Sequence, residues 1–291
     1  MPRTPTRGIP LMLAAVALFS IMDASMKQLT RVYPPFQVSC LRGLASIPVM
    51  LAAVAWRGRW RQLRPVRWEA HVVRGMLAVA MLTLFVFSLQ KLPLTEAYAI
   101  FLCAPLIVTA LSALLLHETV GWHRWLAVVI GLFGVLLMLR PSPSHFVSLG
   151  AAAALGSALC YSFGAIMIRT LAHAESTLSI AFSFIVAVAV ANGAAALPHW
   201  VSVQPHHWPW IVILGLTGAA GQLLMIQAFR SSPPSVVAPF EYTALLCGLL
   251  LDWVFWRTLP DQRTWVGGAI VTASGLYVIY RGHLRSPARA L

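Results

Sequence analysis

The sequence predicts an all-α integral membrane protein of ten transmembrane helices arranged as two inverted five-helix repeats. Three observations carry that expectation. Of 291 residues, 59% are hydrophobic and only 10% charged, with a mean hydropathy of +0.78; soluble domains carry about 25% charged residues. Apolar runs of about 20 residues, each long enough to cross a hydrocarbon core of about 30 Å, follow one another along the whole chain with short breaks. A weak internal echo recurs at a near-constant offset of 140 to 142 residues, the mark of a duplicated unit.

In order, the runs cover residues 9–29, 35–55, 71–90, 94–116, 121–139, 149–171, 177–197, 209–229, 235–256 and 264–280. Prolines punctuate the breaks: Pro34-Pro35, Pro93, Pro141 and Pro143, Pro198 and Pro205, Pro233-Pro234, and Pro260. The first run follows MPRTPTR but is interrupted by Asp23 and Lys27, and no small-x-small cleavage site followed by a soluble domain appears. It is expected to remain as the first helix rather than to act as a cleaved signal peptide.

The echo pairs Phe19-Ser20, Lys27 and Leu29 with Tyr161-Ser162, Arg169 and Leu171 at an offset of 142. Trp125 pairs with Trp265 at 140, and Gly134 and Arg140 pair with Gly275 and Arg281 at 141. The expected repeats are residues 1–143 and 144–291. Five spans per half is an odd number, so the second half enters the membrane upside down, with the interface near the midplane where transporters hold substrate.

The net charge of +13 is read through its placement. Arg57, Arg59, Arg61, Arg64, Arg67 and Arg74 lie in or at the edge of the break between the second and third runs, as in a solvated cytoplasmic loop. With both termini cytoplasmic, fourteen Lys/Arg residues fall on the inner side and six on the outer (Lys27, Arg31, Lys91, Arg140, Arg257 and Arg263), with Arg42 inside a span. This favours a multi-pass protein of a bacterial inner membrane whose partners are the lipid bilayer and a small molecule. No nucleic-acid module accompanies the arginines.

Charged groups within spans cost at least about 2.5 kcal/mol each at the bilayer centre unless paired or hydrated, so they are the functional candidates. Asp23 lies fourteen residues into the first run and Arg42 seven into the second. On antiparallel helices both sit at similar depth, so they can pair. Asp23 can instead pair with Lys27 at i,i+4, leaving Arg42 to hold a carboxylate or another anionic group. A structural ion pair and a substrate site both remain open.

Glu241 and Asp252 are eleven residues apart in the ninth run, within about 20° on one helix face and roughly 16 Å apart along the axis. Pro239 can free a backbone carbonyl beside Glu241, which is a candidate proton-coupling carboxylate or a hydrogen-bonded structural acid. Glu96 with Thr95 opens the fourth helix, where capping and a site role compete. Gln90, Tyr98, Tyr161, Asn192, Gln222, Gln227 and Tyr242 can line a hydrated interior or bond neighbouring helices. The substrate-binding or coupling candidates are therefore Asp23, Arg42, Glu96, Tyr98, Tyr161, Gln222, Glu241, Tyr242 and Asp252.

Other chemistry is not expected. Cys40, Cys103, Cys160 and Cys247 lie within runs and lack CxxC spacing, so no disulfide or zinc site follows. All nine histidines fall in loops or at run ends; His206-His207 reads as an interfacial pair beside Trp208 and Trp210. No P-loop and no G-x-S-x-G elbow is present, and no cofactor or metal is implied. Trp253, Phe255, Trp256 and Trp265 read as an interfacial belt.

The segment RGMLAVAMLTLFVFSLQKLPLTEAYAIFLCAPLIVTALSALLLHE at 74–118 resembles the first EamA repeat of the drug/metabolite transporter superfamily, and SVVAPFEYTALLCGLLLDW at 235–253 resembles part of the second. The resemblance covers nearly the whole chain. It implies ten helices, a central cavity lined by spans 1, 3, 4, 6, 8 and 9, and transport without ATP. The chain departs from the pattern where the second repeat carries Arg257 near the place of an acid like Glu118.

Members of this superfamily include S-adenosylmethionine and riboflavin importers, amino-acid exporters and opine-metallophore exporters of the pseudopaline type. Buried groups of both signs suit a zwitterionic, amino-acid-like metabolite, and the expectation is export by alternating access with a coupled proton. Uptake of S-adenosylmethionine, riboflavin or a similar metabolite is the alternative. An intramembrane enzyme or a lipid-handling structural subunit is the alternative of a different class.

Overall fold

The computed structural model describes residues 8–56, 58, 60–63, 67–115, 122–139, 148–171, 176–231 and 238–284. The expectations at Arg57, Arg59, Arg64, His117-Glu118 and Arg140 and at the boundary between 143 and 144 lie outside these residues. Among the described residues the regular structure is helical, with no strand. The α-helices are α1 Gly8–Leu29, α2 Pro35–Trp56, α3 Trp68–Lys91, α4 Leu94–Phe101, α5 Ala104–Leu115, α6 Trp122–Leu139, α7 Leu149–Leu171, α8 Thr177–Ala196, α9 Trp208–Ser231, α10 Thr243–Leu251 and α11 Gln262–Leu284.

Six of these stretches are long and apolar enough to cross a membrane: Gly8–Leu29, Pro35–Trp56, Trp68–Lys91, Leu149–Met167, Leu178–His199 and Pro205–Met225. Their outward faces carry large apolar side chains, as do other helices; Met76, Val129 and Phe133 are 60%, 61% and 62% exposed. A surface of that kind is stable against lipid and a liability in water.

Two predicted spans are broken. Residues 94–116 divide into α4 and α5 at Leu102-Cys103, because Pro105 has no N–H to give the carbonyl of Phe101. The chain turns there through Cys103 N–H to Ile100 O at 3.2 Å and restarts with Leu106 N–H to Cys103 O at 3.0 Å. Residues 238–256 run as a 3-10 turn (Ala238–Tyr242), then α10, then a π turn (Asp252–Trp256). Pro239 lies in the first of these. The π turn ends at Arg257 in the left-handed region, φ 52°, and Thr258 N–H closes it onto the carbonyl of Asp252 at 3.2 Å.

Helix pairing follows the two-repeat pattern. The contacts of α1 with α9 and of α3 with α7 exchange when each helix is replaced by its counterpart in the other half, as do those of α2 with α9 and of α3 with α8. The pairs α2 with α8 and α6 with α11 map onto themselves. Close approach depends on small residues: a side-chain carbon on Gly43 would lie 2.7 Å from the Ala189 Cβ, and one on Gly215 would collide with the Ala45 backbone.

Two sequence expectations are corrected here. Arg74 was expected in the solvated loop with the other arginines, but α3 begins at Trp68 and holds Arg74 buried, with Nη1 donating to Ile180 O at 2.9 Å. His71 was expected at a wet run end, yet it is buried one turn inside α3 with Nδ1 2.8 Å from Ser183 Oγ. The apolar run marks where the helix is surrounded by lipid; the helix itself starts earlier, because α8 supplies polar partners.

Candidate functional site

The best-bonded charge in the interior is Asp252, at the start of the π turn. Its Oδ1 accepts from Lys27 Nζ at 2.8 Å and from Leu94 N–H at 3.0 Å. Its Oδ2 accepts from Thr95 N–H at 2.7 Å and from the Thr95 hydroxyl at 2.9 Å. The cause is local: α4 follows Pro93, which offers no side-chain cap, so its first N–H groups are orphans. A carboxylate from the other half fills the place of an N-cap, where negative charge is favoured.

Lys27 also lies 4.2 Å from the centroid of the Trp256 ring, and Arg31 lies 5.9 Å from it. Trp256 is thus partly drawn inward, whereas Trp253 and Phe255 are 49% and 52% exposed as an interfacial belt requires. The same end of the bundle is tied by two further contacts. Tyr33 Oη is 2.8 Å from His207 Nδ1, and Gln37 bonds both the N–H and the carbonyl of Val201. His207 therefore belongs to a buried polar contact. Among the described residues no group of three or more His, Cys, Asp or Glu is arranged to hold a metal ion.

Deeper in α1, Asp23 is buried and accepts from the Tyr98 hydroxyl of α4 at 2.7 Å. Neither pairing open in the sequence forms: Lys27 goes to Asp252, and among the described residues Lys27–Asp252 is the ion pair found. Arg42 instead directs Nε at Met22 Sδ, 3.2 Å away, with its guanidinium carbon 5.5 Å from the Phe184 ring centroid. A cavity of about 10 Å³ opens beside it, with Ser46 and Gln222 in the lining. That is room for one water, so this cavity does not admit a metabolite as it stands.

Glu241 contrasts with these groups. It sits half-buried in the 3-10 turn, and no hydrogen bond or ion pair reaches it among the described residues. Its charge acts on Tyr161 and Tyr242. Tyr242 Oη is buried without a partner, and the Tyr161 ring packs edge-on to Phe101 at 5.4 Å. Glu96, in the first turn of α4, is half-buried and near enough for its charge to act on Lys27. Asn192 accepts from the Thr83 hydroxyl of α3 and donates to Val188 O of its own helix, Gln90 donates to Thr30 O just past α1, and Gln227 is exposed.

The candidates thus fall into three groups: Asp252 with Lys27 and Thr95, near Glu96; Asp23 with Tyr98, near Arg42 and Gln222; and Glu241 with Tyr242 and Tyr161. Sequence reasoning missed Thr95 as a ligand of Asp252, and Ser46 and Phe184 beside Arg42. One signal was available for the third group. Tyr98, Leu102 and Cys103 align with Tyr242, Leu246 and Cys247 at an offset of 144. The two tyrosines are counterparts, one bonded to a carboxylate and one not.

Comparison with known proteins gives a consistent result. The chain matches the EamA-like transporter family twice, over residues 6–140 and 148–281. It is 26% identical over 278 residues to an S-adenosylmethionine uptake transporter of Rickettsia prowazekii, covering 96% of this chain and 94% of that one. A riboflavin transporter of Vibrio cholerae is 25% identical over 279 residues, covering 94% and 93%. The pseudopaline exporter CntI of Pseudomonas aeruginosa is 24% identical over 271 residues, covering 92% and 94%. A crystal structure superposes with a TM-score of 0.68 at 21% identity, over 97% of this chain and 100% of that chain, a likeness of fold.

Proposed function

The chain belongs to the EamA-like transporter family, whose relatives here are transporters of small metabolites and not enzymes, and from that premise we propose that it is a secondary transporter exporting a small zwitterionic, amino-acid-like metabolite. The observation that carries the substrate class is the presence of charge of both signs, buried at Arg42 and half-buried at Glu241, without a direct counter-ion. Arg42 has no carboxylate in ion-pair contact and Glu241 has no cation, among the described residues. An amino-acid-like solute supplies one group for each.

The transport cycle we infer is alternating access between two inverted five-span repeats, residues 1–143 and 144–291, giving ten spans in all. The exchange-symmetric helix pairs and the double family match support that arrangement. With both termini cytoplasmic in a bacterial inner membrane, the orientation favoured by the arginine distribution, the Asp252 knot seals the outer face. Export then requires Asp252 to release Lys27 and α4 together. Glu241 or Asp23 carries the coupled proton. Uptake is the second reading, favoured by the S-adenosylmethionine relative.

Purified protein in proteoliposomes tests the reading by counterflow of S-adenosylmethionine, riboflavin and opine-type amino acids. Exchange of an amino-acid-like compound supports it; exchange of none, with no metabolite changed between a deletion strain and its parent, sinks it. Accumulation of the compound inside the deletion strain marks export, and its depletion there marks uptake. Glu241→Gln is expected to keep counterflow while losing accumulation driven by a pH gradient. A variant that still concentrates substrate removes Glu241 from coupling.

A further inference from the structure

We propose that Arg42 anchors a subsite for a small oxyanion, a carboxylate or phosphate group, in the cavity between α2, α8 and α9, with Ser46 and Gln222 as neutral donors and Arg74 as a second positive charge. This deepens the zwitterion reading, on which it rests for the identity of the molecule that carries the oxyanion.

The geometry is that of a built site. Arg42 is only 9% exposed and lines the cavity. A guanidinium has five N–H donors, and among the described residues the bond it makes is Nε to the weak acceptor Met22 Sδ at 3.2 Å. The terminal nitrogens, which present the fork that matches a carboxylate or phosphate, have no protein acceptor there. Asp23, the near carboxylate, is already engaged by Tyr98.

Arg74 is 6% exposed, and its described bond goes to one backbone carbonyl, Ile180 O. Both arginines face the ring of Phe184, with guanidinium carbons 5.5 and 5.9 Å from its centroid. Two buried cations therefore share one aromatic ring with no acid in ion-pair contact among the described residues. The charge of Asp23 reaches Arg42 without ion-pair contact, and burial with no closer counter-ion is costly; an oxyanion in the cavity relieves Arg42, to which Arg74 adds its charge from beside Phe184. Ser46 and Gln222 also line the cavity, so a hydroxyl and an amide are placed to complete the shell.

The position distinguishes this subsite from the cavity implied by the family resemblance. That cavity is lined by spans 1, 3, 4, 6, 8 and 9. The Arg42 cavity lies between spans 2, 7 and 8, and shares only span 8 with it. As it stands it admits about one water, so the oxyanion enters when α2, α8 and α9 separate.

The test needs no known substrate. In the full chain with its four native cysteines replaced by alanine, Ser46→Cys reports on the cavity, and Gln222→Cys serves as a second reporter should the first misfold. Labelling rates with the anionic sulfonatoethyl and the cationic trimethylammonioethyl methanethiosulfonates are each normalised to a free thiol. The anionic reagent is expected to be favoured about tenfold. Arg42→Gln erases that preference, Arg42→Lys keeps it, and Arg74→Gln lowers it about threefold.

Vesicles of neutral phosphatidylcholine separate the two sources of oxyanion. Slowing by added sodium acetate points to a soluble carboxylate, whereas slowing only when phosphatidylglycerol is included points to a lipid phosphate. Equal rates for the two reagents, a preference that survives Arg42→Gln, no labelling of either reporter, or a preference that neither anion source competes away each overturns the subsite. Failure of counterflow with the charge preference intact removes the transport reading and leaves the subsite standing.

Discussion

Asp252 and Glu241 stand on the same predicted span, eleven residues apart, and the protein treats them in opposite ways. Asp252 accepts an ammonium, two backbone N–H groups and a hydroxyl. Glu241 accepts nothing among the described residues. Charge, the predicted span and the predicted helical face are shared, so none of them separates a structural acid from an available one. Satisfaction does. A carboxylate with its lone pairs filled holds helices together, and one with its lone pairs open is free to bind a proton or a cation.

The sharpest way to break this comparison is Asp252→Asn. It removes one partner of a buried pair and leaves Lys27 uncompensated, which costs about 3–5 kcal/mol, read as a lower unfolding midpoint of the purified protein. Adding Lys27→Met to that variant is expected to recover part of the loss, because the uncompensated charge goes with it. A double variant no more stable than Asp252→Asn would show that the knot is not an energetic unit.

The paired tyrosines sharpen it further. Tyr98→Phe removes a hydrogen bond to a carboxylate and is expected to cost about 1.5–3 kcal/mol. Tyr242→Phe removes a buried hydroxyl that has no partner, and it is expected to be neutral or stabilising, within about 0.5 kcal/mol. Equal losses at the two positions would mean that Tyr242 is bonded in the membrane.

The smallest effect on stability is expected at Glu241. Glu241→Gln breaks no observed bond, so unfolding should move by no more than about 0.5 kcal/mol while pH-driven accumulation is lost. A loss of stability as large as that of Asp252→Asn would place Glu241 among the structural acids and erase the distinction between the two carboxylates.

Much of this was legible in the chain. Composition announced the membrane, and the echo at 140 to 142 residues announced two related halves, because hydropathy and repeat spacing are properties of neighbouring residues. Asp23, Arg42 and Glu241 stood out since charge is rare inside apolar runs. Arg74 and His71 were misjudged at the start of the third run: beside the arginine-rich break they looked solvated, but Ile180 and Ser183 receive them. The pairing of Asp23 was a choice between Arg42 and Lys27 in the sequence, and the fold chose Tyr98, 75 residues away.

By itself the sequence determined the all-helical, lipid-facing character of the protein and its family, because each depends on local composition and on a pattern carried along the chain. Which charges are satisfied was decided only by the tertiary structure. The ligands of Asp252 come from 157, 158 and 225 residues away, and Arg42 finds its aromatic neighbour on α8. Bond satisfaction needs donors and acceptors within about 3 Å, a condition that helix packing sets and that no linear spacing encodes.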